Sequence, residues 1–578
     1  MLEKRWNTRE VADSFAVETL ADSLNISETL ARLLVQRNIY TFSNAKHFFR
    51  ASQDDLYDPF LMDGMESATQ RLIEALTENQ LITIYGDYDV DGTCATAVLY
   101  LFLKSLDANV GFHIPKRLTE GYGISTQGID TIKQRGTSLM ISVDCGITAI
   151  EEIDYANDLG MDVIICDHHQ PKENLPNALS VLDPLKPDCN YPFKYLSGAG
   201  VAFKLAQGLA ERIGKREKPL EYLDLAALAS AADIVSLTDE NRVIVSEGIK
   251  LINESPRPAL SALIEASHLQ PGNLSSGQIV FTIAPRINAV GRLGDAERAV
   301  ELLISEDVES AKVLASVLES ENQERRKIDV DTFDEAIELV ESSIDFDNDR
   351  AIVLHRENWH PGVIGIVASR LVEKYYRPTI MLTTIDGVAR GSARSIAKFD
   401  IYDALNQCEE HLIQFGGHKA AAGLSIDLEK LSDFREMFNG IVCSSINEDE
   451  LSPEILIDSP LKFSEITPKF LKILDQFAPF GPGNMRPVFI SENVSVVNNV
   501  RRVGNNQSHL ICSVKQDGSE KVFDCIGFNM GEYYDILINS DSDLNIVYTI
   551  DKCVRDDRTF PQFRLKDIKT RQKLEENE

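Results

Sequence analysis

The segment that most constrains the fold runs from Leu81 to Leu182. Leu81-Ile-Thr-Ile-Tyr85, Leu139-Met-Ile-Ser-Val143, Val163-Ile-Ile-Cys166 and Ala178-Leu-Ser-Val-Leu182 are short, β-rich apolar runs. Between the first two, Ala95-Thr-Ala-Val-Leu-Tyr-Leu-Phe-Leu103 has the length of a helix. Strands alternating with helical segments predict βαβ units and a parallel sheet. In such sheets, ligands lie beyond the carboxyl ends of the strands.

Acidic residues gather at those ends. Gly86-Asp-Tyr-Asp-Val-Asp-Gly92 places Asp87, Asp89 and Asp91 at alternate positions directly after the first strand. Asp144 ends the second strand, and Asp167-His-His169 ends the third. Asp233 follows a helical run in Ala231-Ala-Asp-Ile-Val-Ser236, from where it can join them. Carboxylates packed together repel, and some are forced to hold a proton unless divalent cations intervene. Mixed carboxylate and imidazole donors suit Mn²⁺ or Mg²⁺, with the histidines tilting toward Mn²⁺. Two such ions clamp both sides of a phosphoryl displacement and lower the pKa of a water nucleophile. A calcium loop is excluded, because position 12 counted from Asp87 is Val98 rather than Glu. One Asp after a strand is usually a turn former. Several, each at a strand or helix end of one α/β segment, predict a metal centre.

Charge sets a condition on that centre. The 578 residues carry 58 Lys+Arg against 90 Asp+Glu, a net of −32. Such a chain repels a phosphate polymer at long range, and gripping DNA over a broad face is excluded. Phosphate chemistry here needs a local positive centre, either a metal or a focused Arg/Lys pocket. No apolar run approaches the roughly 20 residues of a membrane helix. Met1-Leu-Glu-Lys-Arg-Trp lacks a signal peptide's apolar core, and the nine cysteines show no C-x-x-C spacing. A cytoplasmic protein with reduced thiols is expected.

The length predicts three or four domains. Residues 1–75 read as a helical segment and 76–305 as the metal-binding α/β domain. Residues 306–345 read as a long, charge-rich connecting helix. A second α/β domain spans 346–450, beginning at Ala351-Ile-Val-Leu354. The polar linker Ile446-Asn-Glu-Asp-Glu-Leu-Ser-Pro453 precedes short strand-like runs, which predict a small all-β domain over 453–570. Residues 501–578 hold 12 basic and 14 acidic residues, net −2, far less acidic than the whole.

These motifs resemble the DHH phosphoesterase superfamily. Asp167-His-His169 resembles its name-giving motif, Gly86–Gly92 its first, Val143-Asp-Cys-Gly146 its second and Ala232-Asp-Ile-Val235 its fourth. Gln414-Phe-Gly-Gly-His-Lys-Ala-Ala-Ala-Gly423 is similar to the signature of the associated DHHA1 domain. The stretches 117–123, 285–294 and 359–370 resemble the RecJ branch, whose terminal β domain is an OB-fold. The resemblance implies a DHH domain with a parallel sheet, a connecting helix, a DHHA1 domain and an OB-fold. It implies a two-metal exonuclease acting from the 5′ end of single-stranded DNA, releasing 5′-mononucleotides in recombination and repair. Asp89, Asp91, Asp144, His168 and Asp233 would ligate Mn²⁺ or Mg²⁺, with Asp144 bridging two ions. Asp87 would be a ligand or support one, Asp167 would orient a histidine, and His169 would contact the phosphate or a water. A monomer is expected, with single-strand-binding protein and a RecQ-type helicase as partners. The rivals are a DHH phosphodiesterase of short RNA or cyclic dinucleotides, and a non-catalytic DNA-binding scaffold.

The same resemblance marks Arg117, Arg292, Ser392, Arg394, Gly417 and His418 as substrate contacts, with the second domain clamping the strand against the metals. Arg292 and Arg394 are expected to build a 5′-phosphate pocket. Arg286 is a further local cation, and Gly416-Gly417-His418 is expected to offer backbone N–H groups as an anion nest. Trp359 and His360 are a candidate stacking platform, as are Phe523, Phe528 and Tyr548 in the β domain.

Overall fold

The computed structural model describes residues 2–10, 13–117, 120, 121, 123–504, 506–539, 544–555 and 558–570; the side chains of residues 498, 499, 539, 554 and 555 fall outside that description. Three residues of the predicted 117–123 motif, Leu118, Thr119 and Tyr122, lie outside the described residues. The segment 1–75, expected to be helical, opens with a short strand, β1 (Arg5–Thr8), before its helices.

The next strands are β2 (Ile82–Gly86), β3 (Val110–His113), β4 (Leu139–Val143), β5 (Asp162–Cys166) and β6 (Ser180–Leu182). They form one parallel sheet in the order β3-β2-β4-β5-β6. β2 and β4 are buried along their whole length, as near-continuous apolar runs with helices on both faces should be. Helix α1 (Val90–Lys104) follows β2, and its mostly apolar sequence is buried on most sides. Helices α2 (Gly198–Arg212) and α3 (Leu223–Ala232) join the same core. The chain leaves β2 for β3 on one side and returns to β4 on the other. The crevice between β2 and β4 is therefore the sheet's topological switch point.

The chain divides into two compact units. One comprises Lys46–Arg325 with Phe477–Met485, and the other Met1–Ala45, Arg326–Gln476 and Arg486–Glu578. In the first, α4 (Ala284–Leu293) packs behind the β2–α1 loop: Asn288 Oδ1 accepts the Val90 N–H at 2.9 Å. The long helix α5 (Val308–Ser343) contains the division point.

In the second unit, β7 (Ile352–His355), helix α6 (Ile364–Tyr375), β8 (Thr379–Ile385), β9 (Val388–Arg394), β10 (Leu412–His418) and β11 (Ala421–Asp427) build a mixed sheet ordered β10-β11-β9-β8-β7. Strand β12 (Glu454–Ile457) pairs in parallel with β1. Strands β13 (Ser459–Pro460), β14 (Phe489–Val503), β15 (His509–Gln516), β16 (Val522–Gly527), β17 (Leu544–Arg555) and β18 (Arg558–Thr570) follow. The pairing β14-β15-β16-β18-β17 returns to β14, closing a barrel of the OB type. Phe523 and Tyr548 are buried in this barrel, so neither offers a face to a base; Phe528 is 45% exposed beside Arg564. Among the described residues, no helix is long and apolar enough to cross a membrane.

Candidate metal centre

Register puts the acidic residues in a row. Gly86 pairs with Val143, Val143 with Cys166, and Cys166 with Leu182. The residues that follow are Asp87, Asp144, Asp167 and Asp183. Each exits its strand at the same level, so all four emerge on one sheet edge. The fourth, Asp183, was not among the expected site residues. It carries the same sequence signal, an aspartate directly after a strand run.

His168 is the hub. Its Nε2 lies 3.1 Å from Asp144 Oδ1, 3.6 Å from Asp233 Oδ2 and 3.7 Å from Asp91 Oδ2. Three overlapping sets have ligand atoms within 4.8 Å of one another: Asp87, Asp89 and Asp144; Asp91, His168 and Asp233; Asp144, His168 and His169. Asp144 and His168 each belong to two sets; the two oxygens of Asp144 can be shared between two ions, whereas the one lone pair of His168 Nε2 serves a single ion.

Each side chain is aimed by its neighbours. Asp89 caps α1 by accepting the N–H groups of Asp91 and Gly92 through Oδ1. Asp91 accepts the N–H groups of Gly198 at 2.6 Å and Ala199 at 2.8 Å, the first amides of α2. A helix N-terminus favours negative charge, so α2 fixes this buried carboxylate. Sequence reasoning missed that support; its signal is Ser197-Gly-Ala-Gly200, with Ser197 accepting the Gly200 N–H as an N-cap. Asp144 adopts φ +59, a left-handed conformation that Asp tolerates. Asp167 is fully engaged: Oδ2 accepts the Ile147 N–H, and Oδ1 accepts the His168 and His169 N–H groups and faces His169 Nδ1 at 2.7 Å.

The electrostatics demand a cation. Burial, and then the charge of neighbouring aspartates, pushes Asp87, Asp144 and Asp233 well above the usual carboxylate range and Asp91 up to about 7. Burial and then the neighbouring His169 push His168 down to about 4, leaving a neutral ring able to ligate. Asp87 Oδ1 is buried with no hydrogen-bond partner among the described residues. An orphaned carboxylate oxygen in a nest of carboxylates fits a divalent ion, and the O/N donor set fits Mn²⁺ or Mg²⁺. Asp167 and His169 behave differently. Burial opposes both charges, but their mutual hydrogen bond and attraction prevail. Asp167 is held down at about 2, and His169 is raised to about 9.

The expected substrate residues fall into two groups. In the first unit, the Arg117 guanidinium stands 5.1 Å from the Tyr88 ring centre, and the charge of Arg292 also reaches Tyr88. Tyr88 lies between Asp87 and Asp89, so these two arginines flank the cluster. Arg286 instead is buried against Glu319 and is not a phosphate contact. In the second unit, Arg394 Nη1 donates to Ser392 Oγ at 2.9 Å. Arg394 pairs with Ala421, and Ala421 with His418, so Ser392, Arg394 and His418 share one face of the sheet. Gly416, Gly417 and His418 form an edge strand rather than a loop nest, because the Ala-Ala-Gly run supplies a pairing partner. Trp359 is 4% exposed, packed in the core, and donates its Nε1–H to Glu335. It is not a stacking platform; His360 accepts the Gly362 N–H through Nδ1.

Comparison with known proteins agrees with this architecture. Family profiles match over residues 81–230 (DHH family, N-terminal domain), 348–443 (DHHA1 domain) and 457–567 (RecJ OB domain). The single-stranded-DNA-specific exonuclease RecJ of Bacillus subtilis is 40% identical over 566 residues, covering 97% of this chain and 70% of its own. The chain belongs to the RecJ family. RecJ of Escherichia coli is 34% identical, covering 81% of this chain and 84% of its own. The crystal structure of RecJ from Thermus thermophilus in complex with Mn²⁺ superposes with a TM-score of 0.82 at 28% identity, over 98% of this chain and 79% of that one. A second RecJ structure, bound to manganese, is 37% identical with a TM-score of 0.58, over 66% of this chain and 95% of that one. The donor set found here is one that such ions suit.

Proposed function

We propose that this chain is a metal-dependent exonuclease that hydrolyses single-stranded DNA from its 5′ end to nucleoside 5′-monophosphates, in recombination and repair. The observation that carries it is the three overlapping sets of donors, linked through Asp144 and His168, at the switch point of the DHH sheet. Two divalent ions bound there would neutralise the carboxylates and supply Lewis-acid activation of water and phosphate.

The ligands in this reading are Asp89, Asp91, Asp144, His168 and Asp233, with Asp87 as a further oxygen donor. Asp167 holds His169 through Nδ1 and keeps the ring protonated, so its remaining N–H donates to a phosphate oxygen. Arg117 and Arg292, both near Tyr88, take the substrate's phosphates. Ser392, Arg394, Gly417 and His418 form the DHHA1 contribution, and Arg394 with Ser392 receives a terminal 5′-phosphate. The acidic surface elsewhere limits capture to a threaded single-stranded end. The working parts in this reading are residues 76–305, 306–345, 346–450 and 453–570. All nine cysteines are free thiols, which supports action in the cytoplasm. The reading also expects a monomer, working with single-strand-binding protein and a RecQ-type helicase.

A digest of 5′-labelled single-stranded DNA with and without Mn²⁺, beside an Asp144→Ala control, tests it. Release of mononucleotides that needs both Mn²⁺ and Asp144 is expected. No Mn²⁺-dependent release from the wild type would refute it.

A further inference from the structure

The loop after Asp233 carries a feature that the metal centre leaves unexplained. Ile234 has φ +63, in the left-handed region where a β-branched residue is strained. Its side chain is also 78% exposed. An exposed isoleucine returns no burial energy against that strain, so packing of its own side chain gives no reason for it. Backbone strain of this kind persists where the surroundings over-determine it, and it clusters at functional sites.

The surroundings do over-determine it. On one side, the Asp233 N–H closes helix α3 onto Ala229 O at 2.9 Å. On the other, Leu237 is buried and its N–H donates to Pro482 O at 2.7 Å. Between them, Ser236 O accepts from the Asn241 side-chain amide at 3.0 Å, and Asn241 is fully buried. The loop is pinned on both sides while Ile234 is pushed outward.

The same Asn241 amide donates to Tyr195 O. Tyr195 is 60% exposed, and its neighbour Leu196 takes a backbone hydrogen bond from His168. The two backbone segments that carry these exposed, uncharged side chains are thus tied to each other by one buried asparagine. One is adjacent to Asp233, and the other is one residue from the group that holds His168. Neither can neutralise a phosphate. An aliphatic edge and an aromatic ring are instead what the face of a base and a deoxyribose pack against.

We propose that Ile234 and Tyr195 seat the base and sugar of the nucleotide whose phosphate lies at the metal centre. This rests on the exonuclease reading above. Every base has such a face, so the contact tolerates any sequence. A base stacked in a duplex cannot offer it, so the contact contributes to selecting single strands.

The test compares kcat/KM on 5′-labelled single-stranded DNA whose terminal nucleotides are normal or abasic. The proteins are wild type, Ile234→Gly, Ile234→Val, Tyr195→Ala and Tyr195→Phe. Gly adopts positive φ without strain, so Ile234→Gly should keep its fold and its Mn²⁺-induced rise in melting temperature. The wild type should prefer normal over abasic DNA by about ten-fold, the scale of one stacking contact. Ile234→Gly and Tyr195→Ala should lose a similar factor on normal DNA and little on abasic DNA. Ile234→Val and Tyr195→Phe should retain the preference. Equal discrimination in all five proteins, or none in the wild type, overturns the proposal. Absence of Mn²⁺-dependent release from the wild type overturns the exonuclease reading as well, so the two failures are distinct.

Discussion

Gly198 lies directly against Asp144: a Cβ at position 198 would stand 2.6 Å from the Asp144 Cβ and 2.8 Å from its Oδ1. The same residue donates its N–H to Asp91. One glycine therefore sets the spacing of two carboxylates. Gly198→Ala must displace the Asp144 backbone or the start of α2, because the new Cβ would also stand 2.9 Å from the Asp144 Cα, and neither Cα nor Cβ can move without the backbone. The expected cost is about 1–3 kcal/mol of stability, typical of overpacking. Mn²⁺ affinity should fall about 10–100-fold, the scale seen when ligand supports are lost. Titration of the melting temperature with Mn²⁺ measures both. Unchanged affinity would show that Asp144 and Asp91 need no such spacing.

Asp167→Asn should leave the ligands in place and change His169. Without the carboxylate, the imidazole should titrate nearer its ordinary value of 6.5 than its present value of about 9. The Asp167–His169 pair raises the His169 value, so its stabilisation is complete below pH 6.5 and is lost as pH rises through about 9. In the variant, kcat/KM should decline above about pH 6.5, whereas the wild type should hold its imidazolium well beyond that. A pH–rate profile decides it; identical alkaline limbs would mean that His169 acts without its proton.

The metal-free protein should weaken as pH rises. Asp91 shifts from an ordinary 3.8 to about 7 in the fold, so the folded state retains a proton that the unfolded state has lost across that range. Stability therefore falls with increasing pH between those values, and Asp87, Asp144 and Asp233 act in the same direction. Mn²⁺ replaces those protons. Its stabilising effect should be small near pH 5 and larger at pH 8, reaching about 2.7 kcal/mol at roughly 100 times Kd. Melting curves with Mn²⁺ or EDTA at the two pH values check this. A metal effect independent of pH would rule out the carboxylate cluster as its source.

The metal centre is legible in sequence because each of its strands ends in an acid, and parallel register turns equal strand ends into one row. Asp183 obeys the same rule, but its Leu182-Asp-Pro setting reads as an ordinary turn. Val110–His113 escapes notice because a four-residue strand containing Gly has little periodicity. The pairing of Arg5–Thr8 with Glu454–Ile457 joins segments from opposite parts of the chain, and no local pattern encodes that. Trp359 shows the other limit. Its residue type suits a base, yet Glu335, one helix away in sequence, claims its indole N–H. Likewise, Gly-Gly-His suits a nest until Ala421-Ala-Gly423 pairs with it as a strand.

Gly365, on α6, faces the Ser392–Arg394 pair: a Cβ there would lie 2.8 Å from Ser392 Oγ and 2.9 Å from Arg394 Nη2. Both are side-chain ends, so Gly365→Ala should fold while swinging the hydroxyl and guanidinium aside. If these groups receive a terminal phosphate, the variant should lose much of its preference for 5′-phosphorylated over 5′-hydroxyl DNA. Arg394→Ala should lose it as well, with Mn²⁺ binding intact in both. A charge-assisted hydrogen bond of about 1.5–3 kcal/mol makes the expected loss roughly ten-fold to a hundred-fold. Competition between the two ends for limiting enzyme measures it. Arg394→Ala with its end preference unchanged would place the phosphate elsewhere. Loss in Arg394→Ala but not in Gly365→Ala would mean that the guanidinium binds without Ser392 and without the close packing of α6.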